Sequence, residues 1–149
     1  MPIVEYPFTI LSPGAPPRPM LPIRIHNPDT GMIYRTWGLI DTGADDCAIP
    51  AAVAPAIGHK LDAGRPSTIG TAGGNATVYA HVTRIDILSI ADHVTLVHSI
   101  QNTTVDFCPG LNTVLLGVAN FLSNFVLTID YPKQCFSIKT PGYLVKIPE

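Results

Sequence analysis

The chain has 149 residues, of which 46% are hydrophobic and only 13% charged, with a formal net charge of −2. That length suits one domain, residues 1–149, with a core of its own, and the lack of a basic run argues against nucleic acid as a partner. About a quarter of residues in soluble domains are charged, so a surface this poor in charge is expected to be partly covered by another subunit.

In chain order, the N-terminus reads Met1-Pro2-Ile3-Val4-Glu5, without the basic start and apolar stretch of a signal peptide. This predicts a cytoplasmic protein or a soluble domain of a larger one. A first strand is predicted over 4–11, ended by Pro13-Gly14-Ala15-Pro16-Pro17, and a second over Leu21–His26. Asn27-Pro28-Asp29-Thr30-Gly31 is a strong turn, and Met32–Ile40 returns as a strand. Ala51–Gly58 can form one or two short helical turns, with Pro55 limiting their length. The run from Thr77 to Ile87 alternates apolar and polar residues, as does Val94–Ile100. Phe125–Asp130 and Cys135–Lys139 flank Tyr131-Pro132-Lys133-Gln134, a hairpin turn. Residues 107–129 carry no charge and are long enough to span a bilayer. They are broken by Pro109, Gly110, Asn112, Asn120, Ser123 and Asn124, so buried strand, helix, buried strand is the reading preferred to membrane insertion. Short strands at this spacing predict an all-β fold, closed or sandwiched.

Cys47, Cys108 and Cys135 have no metal-ligand spacing and cannot all pair within one chain, which predicts free thiols. The histidines at 26, 59, 81, 93 and 98 show no metal spacing either. Neither a metal nor a cofactor is expected.

Three segments carry chemistry. In Leu39-Ile40-Asp41-Thr42-Gly43-Ala44-Asp45-Asp46 an apolar strand delivers an aspartate into a tight turn, where Gly43 is expected to take a backbone conformation forbidden to side chains. Thr68-Ile69-Gly70-Thr71-Ala72-Gly73-Gly74, followed by the alternating run, predicts a hairpin tip with a long return strand. A phosphate-binding loop is disfavoured there, because no lysine and helix follow. Thr113-Val114-Leu115-Leu116-Gly117 then reads as an apolar strand ending in glycine, with a short helix-like stretch over Val118–Leu122. Each segment alone has an ordinary reading as turn, surface hairpin or core strand.

In this order, over roughly residues 36–125, they resemble the retropepsins, the single-domain aspartic proteases of retroviruses and their cellular and bacterial relatives. The resemblance implies a closed β-barrel with a flap hairpin, and Gly117 placed where a side chain would collide with the loop carrying Asp41. It also implies hydrolysis of polypeptides by two carboxylates sharing one proton, one acting as base on a water and the other as acid. The chain has one Asp-Thr-Gly, so two copies of Asp41 must meet across a two-fold axis in a homodimer. By the same resemblance, Thr42 bonds the opposite loop and Gly43 the substrate backbone. Asp45 and Asp46 bind the substrate main chain, and the Ala72 N–H holds a bridging water. Ala44 stands where some members carry serine. Gly70 lets the flap approach the substrate, and Leu39, Ala48, Ile69 and Leu115 match pocket walls, although each reads equally well as core. Val118 replaces the arginine that pairs with the position of Asp45 in viral members. Ile3–Thr9 and Tyr143–Ile147 are candidate strands for a dimer clamp. The alternatives are a catalytically silent dimer of the same fold that binds peptides, and an unrelated β-domain with an accidental motif.

Overall fold

The structure, a computed structural model, describes residues 1–142. The proposed C-terminal clamp strand, Tyr143–Ile147, lies outside the described residues. Eleven strands are found: β1 (Pro2–Pro7), β2 (Met20–His26), β3 (Ile33–Ile40), β4 (Ala48–Pro50), β5 (Arg65–Thr71), β6 (Gly74–Leu88), β7 (Leu96–Ser99), β8 (Thr103–Cys108), β9 (Val114–Leu116), β10 (Val126–Asp130) and β11 (Cys135–Lys139). One short helix, α1 (Val53–Ala56), and two 3₁₀ turns, Leu61–Ala63 and Leu122–Asn124, complete them.

Six strands close on themselves in the order β2-β3-β9-β4-β8-β6, and β2 pairs again with β6 to complete a barrel. Closure leaves these strands without a free edge. The spine is β6, whose fifteen residues serve different neighbours along their length. Its start pairs with β5 from Thr71↔Gly74 to Arg65↔Ala80, forming a hairpin that projects from the barrel. Its middle pairs with β8, and its end with β2 and β7. A second sheet, β1-β11-β10, packs against the barrel through Ile3, Phe136 and Ile138, all buried in one core with Ile23, Ile25, Phe107 and Leu116.

Several boundaries differ from expectation. The first strand ends at Pro7 rather than continuing to 11, with Phe8 N–H still donating to the Gln134 carbonyl at 2.8 Å before the chain leaves the sheet. Beyond it Thr9 pairs instead with Arg18 across the proline-rich excursion. Pro55 lies inside α1, but in its first turn, where N–H groups lack helical partners anyway. The stretch over 94–100 shortens to β7, with Leu96 and Val97 exposed, because it only edges β6. The helix-like stretch at Val118–Leu122 is a turn leading into the 3₁₀ turn at Leu122–Asn124.

Asp86 is the one fully buried carboxylate among the described residues. It sits between Ile85 and Ile87 on β6, pointing to the opposite face, and the register sets Arg24 of β2 and Ser99 of β7 on either side of it. Arg24 Nε and Arg84 Nε each lie 2.9 Å from one of its oxygens. Burial works to raise its pKa, but hydrogen bonds from Ser99, Arg84 and Arg24 outweigh it and leave the group below the ordinary aspartate value. A depressed carboxylate stabilises the fold above the ordinary aspartate range, and that contribution is lost as pH falls through it. Asp86→Asn should cost about 3 kcal/mol in urea unfolding at neutral pH, since it leaves two arginines without their shared charge. A loss below about 1 kcal/mol would show that the triad contributes little.

Candidate active site

The apolar strand β3 ends at Ile40, and Asp41 opens the loop that follows. Its N–H donates to the Leu116 carbonyl at 3.2 Å, so the end of β9 holds the aspartate in line with the strand. The Gly43 N–H donates to Asp41 Oδ1 at 3.0 Å, and the Ala44 N–H to the Asp41 carbonyl at 3.2 Å. An N–H aimed at a carboxylate oxygen restricts its rotamer. Asp41 is half-buried, while Thr42, Gly43, Asp45 and Asp46 are exposed on the same loop. Among the described residues none of these three aspartates is in an ion pair.

Gly43 corrects one expectation. It does not take a left-handed conformation, and an added Cβ would meet only Asp41 Oδ1, at 3.3 Å. Glycine is useful there for leaving room beside the carboxylate rather than for its φ.

The loop is held from behind by the segment after β9. Val118 N–H donates to the Ala44 carbonyl at 2.9 Å and Ala119 N–H to the Asp45 carbonyl at 2.7 Å. Asn120 Oδ1 accepts the Cys47 N–H at 2.7 Å, and the Gly117 N–H reaches Cys47 Sγ at 3.4 Å. A Cβ on Gly117 would collide with the backbone carbonyl of Asp46 and lie 2.9 Å from the Ala44 carbonyl oxygen, so the expected need for glycine is met literally. With Val118 at the next position, Asp45 is positioned through this backbone lacing instead of an ion pair. The Cys47 thiol, buried under the loop, has its pKa pushed up to about 12, chiefly by burial. It therefore stays protonated and acts as packing, not as a nucleophile.

The β5–β6 hairpin faces this wall of the barrel. Its turn is Ala72-Gly73, and Gly74 carries the left-handed φ, +116°, that the tip requires. Cβ atoms at Gly70 or Gly73 would meet nothing within 4 Å. Between hairpin and barrel lies a cleft of about 360 Å³, mostly apolar, walled by Ile69, Thr71 and Ala76 on one side and Ala48, Leu111 and Leu115 on the other. Three of the four residues read as core or pocket thus line the cleft. Leu39 does not, although the register puts it beside Leu115.

Pairing across the strands extends that row. Leu39, Leu115, Ala48, Asp106, Ala80 and Arg65 stand opposite one another in succession. Asp106 was not anticipated. Burial first, and then the neighbouring Asp46, raise its pKa, with Arg65 opposing. The alternation of buried Val105 and Phe107 around it was visible, but only the register reveals which residues it joins.

Residues 35–124 match the model of the family described as gag-polyprotein putative aspartyl protease. The match spans the Asp41 loop, the hairpin and the segment around Gly117, the three parts that the geometry brings together. The chain belongs to that family of retropepsin-like aspartic proteases. No curated protein matches it. Among the described residues of this family member, no three His, Cys, Asp or Glu side chains gather as a metal site, and no helix is long and apolar enough to cross a membrane.

Gly117→Ala should lower unfolding stability by about 3 kcal/mol, because the obstructing atoms are backbone and cannot swing aside. Gly73→Ala, facing open space, should change it by less than about 0.5 kcal/mol. Comparable losses in thermal or urea unfolding would refute the lacing described above.

Proposed function

We propose that this protein is an active aspartic endopeptidase that cuts extended polypeptides as a symmetric homodimer, with all of residues 1–149 forming one such domain. The observation that carries the reading is the placement of a single Asp41 per chain. Its carboxylate is rigidly held by the Gly43 N–H, half-buried, and flanked by exposed Thr42 and Gly43. One carboxylate cannot both activate water and protonate the carbonyl oxygen of the scissile bond. Two copies about 3 Å apart can, since like charges that close share one proton.

In the dimer, Thr42 of each chain bonds the opposing loop and keeps the two carboxylates coplanar. The exposed backbone of Gly43 receives the substrate main chain, and Asp45 and Asp46 bind it farther from the cut. Ala44 places no hydroxyl against the carboxylate pair. The β5–β6 hairpin serves as the flap: Gly70 allows close approach, and the Ala72 N–H holds a water between flap and substrate. The cleft bounded by Ala48, Ile69 and Leu115, extended by Leu39, takes an apolar side chain next to the scissile bond. Exposed Val4 and Val126 on the β1-β11-β10 sheet, at 66% and 46% accessibility, are the kind of apolar surface a second subunit would cover.

Asp41→Asn keeps the shape of the side chain but removes both the base and the shared proton. It should reduce hydrolysis of a complex peptide library by at least about 10³-fold while leaving fold and oligomeric state intact. Residual activity within about tenfold of the parent, or a parent protein that cuts no member of the library, would refute the proposal.

A further inference from the structure

Away from the Asp41 loop, two imidazoles are stacked where the hairpin joins the barrel. His59 follows α1, and His81 lies in β6 next to Ala80, whose partner Arg65 is the first residue of β5. The ring centroids are 4.4 Å apart with planes 27° from parallel. Phe107, from β8, stands edge-on to both rings at 5.5 and 5.4 Å. Gly64, the residue leading into β5, is pressed against this pair: a Cβ there would come within 2.6 Å of both His81 Nε2 and the Ala80 carbonyl.

The hydrogen bonds define the protonation state. His81 Nε2 lies 2.9 Å from the Leu61 carbonyl, which can only accept, so Nε2 carries the proton. Asn27 is oriented by two bonds: its Oδ1 accepts the Asp29 N–H, and its Nδ2 donates to the Ile57 carbonyl at 2.8 Å. The same Nδ2 lies 3.3 Å from His59 Nδ1, which must therefore be an acceptor. His59 Nε2 then points its proton at Thr83 Oγ1, 3.4 Å away, whose own hydroxyl donates to the His81 carbonyl at 3.1 Å. Each donor finds an acceptor only while His59 is neutral. A proton on His59 Nδ1 would face the Asn27 amide and set a charge against the His81 ring.

The titratable groups facing His59 are His81 from β6 and Asp29 from the β2–β3 turn. Burial first, and then His81, hold His59 below the ordinary histidine value, with Asp29 pulling the other way. Lys60 and Asp62, beside the stack in sequence, are exposed and lie 4.0 Å from each other.

We propose that the His59–His81 stack is a pH-sensitive anchor for the base of the β5–β6 hairpin. While neutral it fixes the Leu61–Gly64 segment against β6, and protonation releases that segment and loosens the hairpin. Above a pH of about 6.5 His59 is neutral with or without its anchoring contacts, so pH has no effect through it. Below that, the released state takes the proton first, and the anchored state loses ground until pH passes the depressed value of His59 itself. The anchor stands on the fold. Only its consequence rests on the protease reading: a flap that opens more readily in the acid range where a shared-proton pair works.

The test is hydrogen exchange of amides 65–80 between about pH 5 and 8, corrected for intrinsic rates and compared with amides of β2, alongside an NMR titration of the His59 ring. In the parent, hairpin protection should fall at least about fivefold relative to β2 as pH drops below about 6.5, and the fall should level off once pH passes the midpoint of the native His59 titration, which lies below about 6.5. His59→Phe keeps a stacking ring that cannot titrate and should abolish the fall. Should that variant not fold, the parent decides the matter by whether the fall is confined between about pH 6.5 and the native His59 midpoint. Asp41→Asn should behave as the parent, which keeps this result separate from the fate of the protease reading. A parent without pH dependence, an unchanged fall in His59→Phe, a fall lying mainly outside the interval between about pH 6.5 and the native His59 midpoint, or a His59 midpoint at or above about 6.5 would overturn the anchor.

Discussion

The Asp46 carbonyl lies where residue 117 would carry a Cβ. That single missing atom lets the end of β9 and the following turn lie flat against the Asp41 loop, and the rest of the site depends on that closeness. Backbone N–H groups of Val118 and Ala119 reach the Ala44 and Asp45 carbonyls, and Asn120 reaches the Cys47 N–H. Backbone-to-backbone lacing has few degrees of freedom, so the loop needs no ion pair to stay in place. β9 in turn is fixed between β3 and β4 by the closed barrel. The barrel thereby gives a fixed footing to a loop that is itself largely exposed.

The second half of the cleft is built on the opposite principle. The β5–β6 hairpin extends beyond the barrel, its tip residues 70–74 are exposed, and added Cβ atoms at Gly70 and Gly73 would touch nothing. It is tied down mainly at its base, where Gly64, His81 and Ala80 meet. A laced loop thus faces a hairpin held mainly at its root, the division that the proposed flap role would use.

Much of this was legible in the sequence because it is local. Leu39–Asp46 announces a strand delivering a carboxylate, and the glycine-rich run before an alternating strand announces a hairpin. The order of these segments with Gly117 pointed to the family that residues 35–124 match. What escaped was non-local or too short to show a period. β4 has three residues and β8 only six, yet these two strands complete the barrel. The support from Asn120, the row that includes Asp106, and the His59–His81 stack all depend on register between strands distant in sequence. Gly43 shows a subtler limit: glycine in a turn suggests a left-handed φ, whereas here the demand is for space beside Asp41 Oδ1.

The central claim is that two copies of Asp41 form one site, and mixing parent protein with Asp41→Asn protein tests it most directly. After equilibration of subunits at fixed total concentration, a mixed dimer holds one carboxylate and one amide and should be inactive. Specific activity should then fall as the square of the parent fraction, reaching about a quarter at equal mixing, as random pairing requires. A linear fall to one half, with subunit exchange verified, would mean that each chain carries a complete site and would contradict the account.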